Sequence, residues 1–427
     1  MTIGKLLAHG CAALSLALAA PALADTTVIH AGHIVRDAGA SYDGPATITV
    51  TDGRIVSIAD GTQPAPAGAK TVDLGDKTVL PGLIDAHVHL TFDPGGDYWR
   101  EAVDPPEWDM IVGVKNARAT LRAGFTTVRD VGSAKLTGFA LRRGIDEGLV
   151  EGPRMLASGP ALSVIGGHGD STGFRPEVRE VFDLTNLCTG AVQCAARVRE
   201  AVARGADLIK FHATGGVLSQ GDKSLGQAFT DEEMKAIIDT AHSLGVKVAA
   251  HAHADAGILA ATRAGVDSIE HGTFASEATL REMKKHGTVL VPTLMAYTGI
   301  REGLAQDRYT PAVAEKVRMT LGVVGKATRI AHDVGVTIVF GTDAGVYEHG
   351  RNAGEFALMR DLGGLSNAET LATATTGAAK LLGLDGEIGR LAPGYSADII
   401  AVDGNPLADI RDLEHVDWVM VRGKVAD

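Results

Sequence analysis

Cysteine is nearly absent: the 427-residue chain has three. Cys11 sits in the N-terminal apolar stretch, which leaves Cys188 and Cys194 in a polar, loop-like segment. Two thiols cannot build a structural zinc site alone, so any metal must be held by imidazoles and carboxylates. In an oxidising compartment the pair could bridge; otherwise both stay free thiols. Excess positive charge is also absent. The formal net charge is −12, which argues against nucleic acid and anionic membrane surfaces as partners. An acidic small substrate is not excluded, because bound cations can make a pocket locally positive. Long apolar runs are missing beyond the N-terminus, so no later segment is suited to crossing a bilayer. Aromatics are few, at 4%, yet hydrophobic residues reach 45%, ample for a core. No solenoid or propeller repeat is visible.

The N-terminus has Lys5, an apolar stretch from Cys11 to Ala20, and then Pro21-Ala22-Leu23-Ala24. This pattern reads as a signal peptide, residues 1–24, cleaved after Ala24. The expected location of the mature protein is the periplasm of a bacterium or the outside of the cell.

Short β-like runs fill residues 25–80, among them Ala46-Thr47-Ile48-Thr49-Val50 and Arg54-Ile55-Val56-Ser57-Ile58. The same texture returns in residues 386–427, at Asp398-Ile399-Ile400-Ala401-Val402 and Asp417-Trp418-Val419-Met420-Val421. Neither end is long enough for its own core. The two are expected to pair into one small β-sandwich, with residues 81–385 inserted between them. That central part alternates apolar runs with Ala/Leu-rich helical stretches. Its strand candidates end at His89, Asp130, Ser158, Phe211, His251, His271, Pro292 and Asp343. Eight βα repeats predict an α/β fold, a (β/α)8 barrel.

The run Val79–Leu90 carries His87 and His89. On a strand, residues two apart share a face, so both imidazoles point the same way. The fourth strand carries Lys210, the fifth ends at His251, the sixth at His271 and the eighth at Asp343. In a barrel the C-terminal strand ends converge on one mouth, where active sites sit. Singly, each has a plainer reading: His251 or His271 as a hydrogen-bonded core histidine, Asp343 as a helix cap, Lys210 as a strand-end charge. Their joint arrival at one mouth points to a metal centre. A protonated lysine is a poor neighbour for cations, but burial lowers its pKa. The neutral amine can then take up carbon dioxide and become a carbamate, a bidentate anion suited to bridging two ions. His87, His89 and Asp343 would hold one ion, and His251 and His271 the other. Nitrogen and oxygen donors are compatible with zinc, and equally with manganese, cobalt or iron.

The motifs PGLIDAHVHL, LIKFHATGG, VAAHAHADAGILAATRAGVDSIEHGTF and FGTDAG, with the closing GEIGRLAPGYSADIIAVDGNPL, resemble the amidohydrolase superfamily in its binuclear, carboxylated-lysine form. The chain is most similar to the prolidase-like group, which includes Xaa-Pro dipeptidases, related metallocarboxypeptidases and ochratoxin-hydrolysing enzymes. GGHGD at residues 166–170 and the His251-Ala252-His253 pair belong to that likeness. The resemblance implies two divalent ions, zinc first among them, a carbamate on Lys210 and a homo-oligomer. It implies hydrolysis of an amide joining an acyl group to an amino acid with a free carboxylate, such as a dipeptide, an N-acyl amino acid or ochratoxin A. The ions would activate water and polarise the carbonyl, while Asp343 accepts a proton and returns it to the departing amine. His168 and His253 are candidate substrate contacts; each could instead orient a ligand. Tyr347, His349, Arg351 and Asn352 follow strand eight and line either the mouth or an ordinary surface loop. A cyclic-amide or lactone hydrolase is the alternative reading. A deaminase, or a metal protein without catalysis, fits less well, since neither needs both the lysine and the aspartate.

Overall fold

The computed structural model describes residues 25–426 except 40, 96–97, 183 and 221–224. The expected signal peptide lies outside the described residues.

Strands from both ends of the chain share one sheet. β1 (Thr26–Ile34), β2 (Ala46–Thr51), β3 (Arg54–Asp60) and β4 (Lys70–Pro81) come from the N-terminal part. The sheet is completed by strands from the far end of the chain, and its order from the C-terminal edge runs through Lys424–Val425, Val416–Val421, Ile399–Val402, β4, β1, β2 and β3. β4 makes the join. It runs parallel to β1 from Lys70 to Val79, with a bulge between, and its last four residues also pair antiparallel with Ile399–Val402. Two-residue turns close the hairpins at both edges. Asp52-Gly53 and Arg422-Gly423 all have positive φ, the geometry that favours Asp-Gly turns. The turn tips touch: a Cβ on Gly423 would lie 2.5 Å from the Gly53 Cα, so only glycine fits. Residues 394–397 bridge the edges, with Ala397 N–H donating to Gly53 O and Gly394 N–H to Ile55 O. The expected sandwich is thus one sheet curled on itself. Ile29, Ile48, Ile55, Ile399 and Met420 fill its interior.

The central part is mixed α/β. β5 (Leu83–Val88), β6 (Phe125–Asp130) and β7 (Arg154–Ala157) form one parallel sheet. β8 (Leu208–His212), β9 (Lys247–Ala252), β10 (Ser268–His271) and β11 (Val289–Val291) form a second, also parallel. The remaining strands are β12 (Ile399–Val402), β13 (Val416–Val421) and β14 (Lys424–Val425). Helices such as Pro106–Arg122, Asp231–Ser243 and Asp255–Ala264 connect the parallel strands. Their ends follow local chemistry: Thr230 and Glu233 form a capping box, and Gly265 and Gly287 end their helices in the left-handed conformation.

Short bridges link the two parallel sheets. Leu162 N–H donates to Lys210 O, and His212 N–H to Leu162 O. On the other side, Val339 N–H donates to Leu290 O, Phe340 N–H to Thr373 O and Asp343 N–H to His87 O. The eighth strand expected at Thr337–Asp343 is therefore not a regular strand. Its amides are shared among three segments, and Asp343 itself has φ +62°. Among the described residues, regular pairing gives seven parallel strands in two sheets, and no closed barrel of eight.

Candidate metal centre

β5 is buried along its whole length, which turns an alternating pair of imidazoles into a costly feature unless they find partners. His87 Nε2 and His89 Nε2 each lie 3.3 Å from Asp343 Oδ1. Behind them, His87 Nδ1 is 2.7 Å from Glu270 Oε2. A carboxylate only accepts, so Nδ1 carries the proton and Nε2 presents its lone pair. Glu270 is held by Arg129 at 2.8 Å and by the Ser268 hydroxyl at 2.6 Å. Burial would raise its pKa, but Arg129 and the His87 hydrogen bond bring it down to about 2. His89 Nδ1 lies 2.9 Å from Gly132 O, which fixes its tautomer in the same sense. Glycines make the slots. A Cβ on Gly341 would come 2.9 Å from the His87 Cβ, and one on Gly132 2.8 Å from the His89 ring.

The Asp343 side chain is mostly buried, with 13% of its surface exposed. Burial pushes its carboxyl up, yet His87, His89 and His271 hold it well below the ordinary value. Its neighbour Thr342 is anchored by Asp85, which accepts from Thr342 N–H and hydroxyl, from Asn352 Nδ2 and from His87 N–H. One carboxylate thus ties β5 to the segment that carries Asp343. Three site residues, His271, Thr293 and Asp343, have φ of +70°, +49° and +62°. Such backbone is strained for non-glycine residues and concentrates where function over-determines it.

The second sheet brings Lys210, His212, His251, His253 and His271 to the same end. His271 Nε2 lies 2.9 Å from His251 Nδ1. His271 and His87 rings are 5.1 Å apart, so the sheets meet across the centre. Lys210 is 3% exposed, and burial lowers its amine to about 8 against the pull of Glu270 and Asp343. His168 sits with its ring 4.4 Å from His251 and its Nδ1 2.7 Å from Ser219 Oγ. Burial pushes His168 down to about 4 and His253 to about 3, so both are neutral at physiological pH.

All eight candidates from the sequence stand around this region. Their grouping differs from the expected partition. The carboxylate and imidazole atoms within 4.8 Å of one another form two sets, His87-His271-Asp343 and His251-His253-His271. His89 enters neither set. The donors nonetheless suit cations: His87 Nε2 and His251 Nε2 are buried without a hydrogen-bond partner, and donors about 2.0–2.1 Å from a tetrahedral ion lie roughly 3.3 Å apart. That is the spacing of both imidazoles from Asp343.

Of the residues after 343, Tyr347 and Asn352 are buried, whereas Arg351 pairs with Glu302 and Glu348 at the surface. His349 ties Phe92 O to the Thr120 hydroxyl. Sequence reasoning missed His212, whose ring lies 4.7 Å from His168 and whose Nδ1 is buried without a partner. Its position two residues after Lys210, on the same face, was the available signal. It also missed Glu270, a charge inside a four-residue buried strand.

A model of the amidohydrolase family matches residues 78–426. The ochratoxinase of Aspergillus niger is 30% identical over 420 residues, covering 93% of this chain and 85% of its own. A solved Xaa-Pro dipeptidase with methionine bound in its active site has a TM-score of 0.88 at 36% identity, covering 94% of this chain and 99% of that one. The A. niger ochratoxinase structure has a TM-score of 0.81 at 29% identity, covering 94% and 95%. The chain belongs to the amidohydrolase family, on its prolidase- and ochratoxinase-like side, and is a hydrolase of amide bonds.

Proposed function

We propose that this protein hydrolyses the amide between an acyl group and an amino acid with a free carboxylate, with two divalent cations that a carboxylated Lys210 would help to hold. The observation that carries this reading is Asp343, ionised and 3.3 Å from two imidazoles whose far nitrogens are already committed. His87, His89 and Asp343 would hold one ion, His251 and His271 the other, with zinc the first candidate. When bound, the cations supply an acidic water and a Lewis acid for the carbonyl. Asp343 accepts the proton of the attacking water and passes it to the departing nitrogen. Its carboxylate is kept ionised for the first transfer by the imidazoles around it.

Lys210 is prepared for modification by its burial. As the neutral amine it would attack carbon dioxide; the N–C bond forms as one C–O π bond breaks, the nitrogen loses a proton to solvent, and an anionic oxygen donor replaces the amine. His168 and His253, neutral and at the same end of the strands, contact the substrate's carbonyl or carboxylate. The substrate class is supported by the relatives, one named an ochratoxinase and one a Xaa-Pro dipeptidase with an amino acid in its active site. Ochratoxin A, split into ochratoxin alpha and phenylalanine, is one substrate to test. The two parallel sheets and their bridges are read as a (β/α)8 barrel over residues 81–385, whose eighth stave is irregular; residues 25–80 and 386–427 form the second domain. Export after cleavage at Ala24 is supported by the Cys188–Cys194 disulfide, which belongs to oxidising compartments. Assembly into a homo-oligomer completes the reading.

The test is a mass-spectrometric screen of dipeptides, N-acyl amino acids and ochratoxin A on metal-analysed protein, alongside simple lactones. The expected result is about two cations per chain and amide cleavage that stops with chelator. Faster lactone cleavage, or turnover unaffected by metal removal, overturns the reading.

A further inference from the structure

Two histidines of this site make the same contact and face opposite demands. His271 Nδ1 lies 2.7 Å from the Thr293 hydroxyl. His253 Nδ1 lies 2.6 Å from the Thr273 hydroxyl. A threonine hydroxyl has one proton to give, so what else it touches decides which imidazole nitrogen is protonated.

Thr293 donates its proton to Pro292 O at 2.8 Å. Its oxygen can then only accept from His271. The His271 proton is therefore on Nδ1, and Nε2, facing His251 at 2.9 Å, is a lone pair. That is the tautomer of a ligand.

Thr273 has a different second partner, the Tyr297 hydroxyl at 2.6 Å. Tyr297 is buried, and its hydroxyl has no other hydrogen-bond partner among the described residues. If Thr273 donated to Tyr297, the phenolic proton would be left without an acceptor in the interior, which is unfavourable. A phenol is also a stronger acid than an aliphatic alcohol, and the better donor of the two. The chain of bonds then runs one way, from Tyr297 O–H to Thr273 and from Thr273 O–H to His253 Nδ1. The remaining proton of His253 is on Nε2.

We propose that Tyr297 and Thr273 are positioning residues that hold His253 as the Nε2–H tautomer, making it a hydrogen-bond donor to the substrate's carbonyl oxygen and barring it from the metal ligands. A protonated nitrogen has no lone pair for a cation. Of the three clustered imidazoles His251, His253 and His271, only the first and third are then available as ligands. The donor is aimed at an oxygen that gains charge as the carbonyl becomes tetrahedral, so its contribution belongs to turnover more than to binding. The proposal rests on the substrate-contact reading of His253 given above.

The experiment is long-range 15N NMR of histidine-labelled holoenzyme, with resonances assigned through His253→Gln. Wild type is expected to show His253 protonated at Nε2. Tyr297→Phe frees Thr273 to accept, and is expected to move the proton toward Nδ1. In the same variant kcat should fall about tenfold or more, with KM within about threefold and the metal content unchanged. Thr273→Val should behave alike, while Thr273→Ser, which keeps the hydroxyl, should restore both tautomer and kcat. A wild-type His253 protonated at Nδ1 overturns the proposal, as does loss of a metal equivalent in His253→Gln. Unchanged tautomer and kcat in Tyr297→Phe also overturn it. The tautomer is read without turnover, so a wrong substrate class leaves this outcome decidable.

Discussion

Lys77 and Lys210 both sit on strands, and the molecule treats them in opposite ways. Lys77, on the curled terminal sheet, reaches water and pairs with Asp403 at 2.7 Å and Asp417 at 3.2 Å. Those hydrogen bonds raise its pKa, keeping it a cation. Lys210, on the parallel sheet, is buried and lowered to about 8. The terminal sheet puts apolar residues inside and leaves its charges at the surface, where an ion pair contributes little. The parallel strands bury Asp85, Glu270, Lys210 and a group of imidazoles at one end. Burying such groups opposes folding unless each finds a partner. The first region keeps its charges in water, and the second gathers titratable groups in the interior.

The largest expected contrast is between the two lysines. Lys210→Ala should lower metal content and reduce turnover by on the order of 1000-fold or more, while Lys77→Ala changes turnover by less than about twofold. Equal activity for both variants would erase the distinction between the regions. Next comes Asp343→Asn, for which kcat should fall about 100- to 10000-fold with most metal retained, measured by single-turnover kinetics and elemental analysis. If the proton is instead moved by another group, the loss will be slight.

From the other side, Ile399→Ala in the curled sheet removes a side chain with no solvent exposure. Its cost should be about 2–5 kcal/mol in denaturant unfolding, with kcat of the folded protein unaltered. A large drop in kcat would show that the terminal sheet shapes the site. The smallest effect expected is on pH dependence. His168 and His253 ionise near 4 and 3 in the folded chain against 6.5 unfolded. Protonation below 6.5 therefore favours the unfolded state. Their contribution to stability is complete above pH 6.5 and is lost as the pH falls toward 4. In metal-depleted protein at pH 5, amide exchange should rise around residues 163–170 and β9 before it rises in β1 and β2. Uniform acceleration would remove the comparison's local character.

The strand-end residues were legible because an apolar run with polar residues two apart has one simple reading: a buried strand with a functional face. His87 and His89 announce themselves that way, and so do His251 and His253. The alternation of strands and helices likewise indicated a mixed α/β fold with terminal segments that pair. What stayed hidden depends on contacts between distant segments. Nothing near His87 in sequence indicates that Glu270 and Arg129 will stand behind it. Thr273 looks like an ordinary loop residue and Tyr297 like an ordinary helix residue until the hydroxyls meet. The eighth strand was misread because Thr337–Asp343 is apolar enough for a strand, while its amides are divided among Leu290, Thr373 and His87. The closure of the terminal sheet was not legible, because hairpin turns at opposite edges touch, which no local pattern encodes.

The double pairing of β4 has a consequence in time. During synthesis β1 to β4 emerge first, but the far flank of β4 finds its partner only when Ile399–Val402 appears. Until then its last residues present unpaired amides and carbonyls, an edge open to other chains. Ribosome-bound or C-terminally shortened forms should therefore be the sticky ones, and the strands from Ile399 onward act as the clasp that makes the N-terminal strands safe.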